Sequence, residues 1–161
     1  MTSTFVYSGG ASSGYLVSPI TLTSTSLLAS LPNGGFALST ASFNQSNTGG
    51  AIQGNVWLVN TSTAGVQQTA GANLAGWWVH SDAAGNFEVT STVAGMPRPP
   101  DFIIPLPSTS TSLSTSGNYF AQGMPTFPPD NFKVFIQNNA GVTLGSTAGY
   151  LQMGPVAYDA V

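Results

Sequence analysis

Asn131-Phe132-Lys133-Val134-Phe135-Ile136-Gln137 is the stretch whose reading decides the fold. Successive side chains on a strand point to opposite faces, so Phe132, Val134 and Ile136 share one side and Lys133, Phe135 and Gln137 the other. The first set reads as core. A second run, Gly76-Trp77-Trp78-Val79-His80-Ser81-Asp82, has the same period: Trp77, Val79 and Ser81 alternate with Trp78, His80 and Asp82. Both faces of a small sandwich cannot be equally dry unless something covers the second, so Trp78 and Phe135 are expected as large aromatics on an outward face. Val56-Trp57-Leu58-Val59 shows no alternation, which predicts a strand buried on both sides.

Outward from these runs the chain keeps one style. Thr, Val, Ile, Phe, Tyr and Trp recur between Gly, Pro and Asn, and strong helix formers are scarce. Strands are predicted near 20–28, 35–43, 55–60, 76–81, 86–93, 102–106, 112–122, 131–137 and 150–156. Short strands at this spacing predict an all-β, antiparallel β-sandwich of jelly-roll or Greek-key type. Ser81-Asp82-Ala83-Ala84-Gly85-Asn86 reads as a hairpin, its Gly supplying positive φ. The 107–117 stretch is Ser/Thr low complexity around Leu113, which periodicity places neither as loop nor as strand. Gly95-Met96-Pro97 with Pro99-Pro100-Asp101-Phe102 is echoed by Gly123-Met124-Pro125 with Pro128-Pro129-Asp130 and Phe132. Proline fixes φ and cannot donate to a ladder, so both segments are expected as extended crossings that release the chain into a strand.

The first residues read differently. Phe5, Val6 and Tyr7 precede Ser8-Gly9-Gly10-Ala11-Ser12-Ser13-Gly14, a flexible-tether composition. The expected organisation is an extended N-terminal arm, 1–14, and one sandwich domain, 15–161. Docking of the arm on a neighbouring copy would make the protein a homo-oligomer; a frayed first strand is the alternative.

Only seven of the 161 residues are charged: two cations and five carboxylates. About a quarter is ordinary for a soluble domain. A net charge of −3 with two cations argues against nucleic acid, whose affinity comes from phosphate neutralisation, and removes a polybasic route to membranes. No long apolar run and no basic leader occur, so no membrane span and no signal peptide are expected. The absence of Cys excludes disulfides and thiolate sites. A surface of hydroxyls and amides repels its neighbours weakly, which suits a protein packed against other chains.

Templates for chemistry are thin. Gly10-Ala11-Ser12-Ser13-Gly14 has the form of a nucleophile elbow, but Tyr15-Leu16-Val17-Ser18-Pro19 is no helix, so it reads as coincidence in a Gly/Ser-rich chain. His80, the single histidine, shares a strand face with Asp82, a conceivable acid–base pair, though a surface histidine beside a turn is the plainer reading. Asp82, Asn86 and Glu88 are oxygen donors near one loop, yet their spacing is not that of a calcium loop. One His, one Lys and no Cys exclude zinc clusters, Walker loops and similar sites. No cofactor, no metal and no enzymatic activity are expected.

Trp77-Trp78-Val79 before a Gly-containing turn, the run from Arg98-Pro99-Pro100-Asp101 through Phe102-Ile103-Ile104-Pro105-Leu106, and Pro128-Pro129 followed by Phe132-Lys133-Val134-Phe135-Ile136-Gln137-Asn138-Asn139 and a closing Gly-x-Leu strand resemble small virion structural proteins of tailed bacteriophages. The resemblance covers 74–154. Within that group, size, sandwich reading and lack of charge are similar to capsid decoration, or cement, proteins. The resemblance implies a protein made in the host cytoplasm that binds the outside of the assembled capsid, with the major capsid protein as partner. On this reading the candidate contact residues are Phe5, Tyr7, Trp78, Arg98, Phe127 and Phe135. The alternative is a carbohydrate-binding sandwich of a phage tail or cell surface, in which Trp57, Trp77, Trp78 and Tyr rings stack on a glycan.

Overall fold

The computed structural model describes residues 5–7, 20–24, 26–44, 53–59, 71–89, 95–107, 118–128, 130–146, 149–156 and 158–160. Among them there is no helix. Ten strands run in the order β1 (Phe5–Tyr7), β2 (Ile20–Thr21), β3 (Phe36–Leu38), β4 (Gln53–Val59), β5 (Asn73–His80), β6 (Phe102–Pro105), β7 (Asn118–Phe120), β8 (Phe132–Asn139), β9 (Tyr150–Val156) and β10 (Tyr158–Ala160). Two four-stranded antiparallel sheets result: the first ordered β3-β8-β5-β6, the second β2-β9-β4-β7. One hydrophobic cluster joins them, with Val56, Leu58, Leu151 and Met153 from the second sheet meeting Leu74, Trp78, Ile104, Phe132, Val134 and Ile136 from the first. The fold is an all-β sandwich.

The pairing is nested. β5 pairs with β6, β4 with β7, β3 with β8, β2 with β9, and β1 with β10. The chain is thus one long hairpin, folded over so that the four inner rungs fall alternately into the two sheets, while β1 and β10 form a separate two-stranded sheet. β1, within the expected arm, pairs with the last strand of its own chain. The rest of the arm, the Gly/Ser tether and the low-complexity residues 108–117 lie outside the described residues.

Local chemistry trims several expected strands. The 20–28 run is extended only at Ile20–Thr21; Leu22 N–H still donates to Leu151 O, and Thr23 Oγ1 accepts from Leu151 N–H, before the chain turns and Leu27 N–H donates to Ser24 O. The 35–43 run leaves the regular ladder after Leu38: Ser39 N–H still donates to Val134 O, but its Oγ takes the Val134 N–H and donates to Ala41 O, and backbone pairing resumes at Phe43 with Phe132. The 86–93 run is a short return from the turn, held by the Ser81–Phe87 bridge; residues 90–94 lie outside the described residues.

Asn138 holds one end of the sandwich. It is fully buried, donates through Nδ2 to Leu31 O and Val142 O at 2.9 Å each, and accepts at Oδ1 from Ala140 N–H at 2.9 Å. One side chain therefore bonds three backbone groups, of which Leu31 O also accepts from Leu144 N–H. The Pro-rich segment after β7 crosses from the second sheet to the first, as expected, and drops Phe127 into the core on the way. The earlier one returns the chain to the sheet it left, since β5 and β6 are neighbours.

Candidate functional site

The expected outward aromatics are a correction. Trp78, Phe127 and Phe135 are 2%, 3% and 1% exposed. In the register, Trp78 lies opposite Val134 and Trp77 opposite Phe135, so Trp78 faces inward and Trp77 outward. Trp78 is boxed by Phe102 at 4.8 Å, Phe132 at 5.3 Å and Phe127 at 5.5 Å, the last two edge to face. Its indole N–H is buried without a hydrogen-bond partner. Phe135 does lie on the outer face of the first sheet, but that face is covered: Phe36 stacks on it at 5.3 Å, and Phe87, Val89 and Met96 close over Trp77 and Val79. The cover comes from Phe36 on β3 over Phe135 and from the return of the hairpin with Met96 over the rest, which alternation within a single strand does not reveal. None of the three rings is on the surface as a contact. Phe5 and Tyr7 sit on β1, paired with Tyr158–Ala160.

Arg98 has a structural task. β6 begins at Phe102, opposite Gly76, so beyond that point β5 lacks a neighbour on this side. Arg98 and Asp101 take the place of the missing strand: Arg98 Nη2 donates to Trp78 O at 2.6 Å, and Asp101 Oδ2 accepts from Trp78 N–H at 2.7 Å. The two side chains also pair with each other at 2.7 Å, and Glu88 joins at 3.2 Å. Burial of Arg98 opposes its charge, and the hydrogen bonds it donates to Asp101 and Glu88 outweigh that, so its pKa is raised. Trp77 Nε1 donates to Arg98 O at 2.9 Å, closing the clip.

The acid–base and cation readings near the turn find other uses for their groups. Asp82 Oδ1 accepts from Ala84 N–H and Asn86 N–H, and Oδ2 accepts from the Asn86 amide at 3.0 Å, while Gly85 takes φ of 84°. Bonds from the Asn86 side chain, then its backbone, hold the Asp82 carboxyl below the usual carboxylate range. Asp82 is a turn-former, and Glu88 is turned to Arg98. No group of three or more His, Asp or Glu arranged to hold a metal occurs among the described residues.

What remains is the outer face of the second sheet. Its register lines up Thr21, Gln152, Trp57 and Phe120 in one row across β2, β9, β4 and β7. The expectation that β4 is buried on both sides is corrected at Trp57, which is only half-buried, whereas Val56, Leu58 and Val59 are buried. Phe120 is 57% exposed. Its ring centroid lies 5.8 Å from that of Trp57, with the planes 37° apart. Trp57 Nε1 donates to Gln152 Oε1 at 3.2 Å. Gly154 lies diagonally across from Trp57, and a Cβ there would stand 2.9 Å from the indole carbons, so the ring occupies the space of the missing side chain. The next position on β4, Asn55, is exposed.

Charge divides the two sheets. None of β2, β4, β7 and β9 contains a charged residue. Six of the seven charged residues lie on or beside strands of the first sheet: Lys133 on β8, Asp82 and Glu88 in the hairpin after β5, Arg98 and Asp101 before β6, and Asp130 before β8; the seventh, Asp159, is on β10, in the separate pair with β1. The sequence reading placed Trp57 in a doubly buried strand, or among the tryptophans at large, and did not single out Phe120, because nothing in the sequence sets one strand across from another. The signal that could have found the face was the lack of any charge in 53–59, 118–120 and 150–156. Compared with known protein families, with curated proteins and with solved structures, the chain finds no match in any of the three.

Proposed function

We propose that the chain is a non-enzymatic structural protein on the outside of a larger particle, in the manner of a tailed-phage capsid decoration protein, with the uncharged outer face of the second sheet as its working surface. The observation that carries this reading is the segregation of charge. Among the described residues, the outer face of the second sheet presents mainly hydroxyl, amide and aromatic groups, and such a face meets a partner without stripping water from an ion. The nested pairing of eight strands into two sheets supports a jelly roll, the sandwich that recurs in viral capsid and lectin domains. Fold alone assigns no function, so the weight rests on the face. Decoration stabilises a shell by mass action, since the protein binds the assembled form only. Incubation of the purified chain with undecorated shells tests the particle role: saturable binding that raises the shell's melting temperature is expected, and its absence contradicts it.

The row of Trp57 and Phe120 beside Gln152 favours a second reading, a glycan-binding module of a tail or cell surface. Both readings use the same face.

A further inference from the structure

We infer that the occupant of the uncharged face is a neutral glycan, with Trp57 and Phe120 as the stacking platform and Thr21, Asn55 and Gln152 as its hydrogen-bonding flank; this rests on the reading of that face as the working surface. Three observations converge. The first is the platform. Two aromatic rings on adjacent strands, one of them 57% exposed, offer electron-rich faces to the C–H side of a pyranose. Trp57 is already fixed, by the space over Gly154 and by its bond to Gln152, so little rotamer freedom is lost on binding.

The second is charge complementarity. With no Lys, Arg, Asp or Glu on any of the four strands, the face holds no counterion for a phosphate, sulfate or carboxylate and none for a cationic ligand. The flank instead consists of groups that both donate and accept, as sugar hydroxyls require. Gln152 accepts the indole N–H through Oε1 and brings its amide nitrogen as a donor beside the ring. From β2 to β7 the row spans about 14 Å at the usual strand spacing, enough for more than one sugar ring.

The third is size. A stable protein interface buries roughly 800 Å² per partner around a dry, apolar centre. Here the apolar strip is the Trp57–Phe120 pair with Tyr150 and buried Val59 in the adjoining row, bordered by Thr21, Asn55, Asn118 and Gln152, which suits a narrow, polar-edged ligand better than another copy of this chain.

The test is a glycan array probed with the full chain, carrying neutral gluco-, manno- and galacto-oligosaccharides together with sulfated and sialylated ones, followed by calorimetry on the best neutral binder. Neutral glycans are expected to bind, with little dependence on NaCl. Trp57→Ala and Phe120→Ala are each expected to weaken binding at least tenfold. Phe120 is largely exposed, so Phe120→Ala is expected to unfold at the wild-type temperature, which separates binding from folding. No neutral binder, a preference for the anionic glycans, or unchanged affinity in both variants overturns the inference. If no glycan binds but shell binding or self-association is lost in Phe120→Ala, the glycan falls and the working face stands. If Phe120→Ala leaves glycan, shell and self-association all unchanged, the reading of the face falls with it.

Discussion

The Trp57 indole lies over Gly154, on the neighbouring strand, in the space a side chain there would fill. In the core, Phe102 crosses Gly76 in the same way, and a Cβ at Gly76 would sink into the ring. The two sites differ in what can give way. Phe102 is hemmed in by Trp78, whereas Trp57 can swing toward water. Gly76→Ala is therefore expected to destabilise by about 3 kcal/mol or more, and Gly154→Ala by about 1 kcal/mol. Gly154→Ala should also release the indole from Gln152 and increase quenching of tryptophan fluorescence by acrylamide. Equal stability losses, or unchanged quenching, would contradict this geometry.

The Arg98–Asp101 clip makes a separable claim. The ion pair is about one-third exposed, and such pairs contribute roughly 0–1 kcal/mol. The backbone N–H and C=O of Trp78 are the larger stake: leaving such a group unpaired costs about 1–3 kcal/mol. Asp101→Ala is expected to lower stability by about that amount in denaturant titrations. High salt, which screens the ion pair but not the backbone bonds, should leave the wild type nearly unaffected. A salt sensitivity as large as the mutational loss would refute the assignment.

Asn138 joins three backbone groups, those of Leu31 and Ala140 buried and that of Val142 half-buried. Asn138→Leu keeps the branched shape but orphans Val142 O and Ala140 N–H and leaves Leu31 O with the Leu144 N–H alone, with an expected loss of about 2–3 kcal/mol. Amide exchange should rise first at Ala140 and at Leu144, whose N–H donates to Leu31 O. Uniform exchange across the sandwich would argue against a local staple.

Asp82 ties the hairpin to pH. Its folded pKa is lowered, so its contribution is present above the unfolded carboxylate value, about 3.9, and is lost as pH falls through the folded value. In an NMR titration the Ala84 and Asn86 amide signals should hold steady down to about pH 4 and move below it. Asp82→Asn should abolish that movement. A transition near neutral pH would contradict the turn geometry.

How much of this was legible in the sequence follows from what each signal reports. Period-2 alternation in 132–136 identified a strand with Phe132, Val134 and Ile136 inward, and the all-β sandwich followed from many such runs. The turn at 81–86 was readable because Asp and Gly carry their own backbone chemistry. Alternation could not tell which side of β5 was inner, because Trp77 and Trp78 are equally apolar and both faces are covered. The cover over Phe135 comes from Phe36, which is distant in sequence. The candidate face was hidden for a like reason: Trp57, Phe120 and Gln152 become neighbours only through strand pairing across 95 residues of chain between Trp57 and Gln152.

The most direct measurement for the uncharged face is a backbone and indole NMR titration of the full chain with the best neutral oligosaccharide from the array. Shifts are expected at the Trp57 Nε1–H, Gln152, Phe120 and Thr21, with the hairpin around Asp82 and the clip at Arg98 silent. Shifts confined to the charged side of the sandwich, or none at saturating ligand, would contradict it.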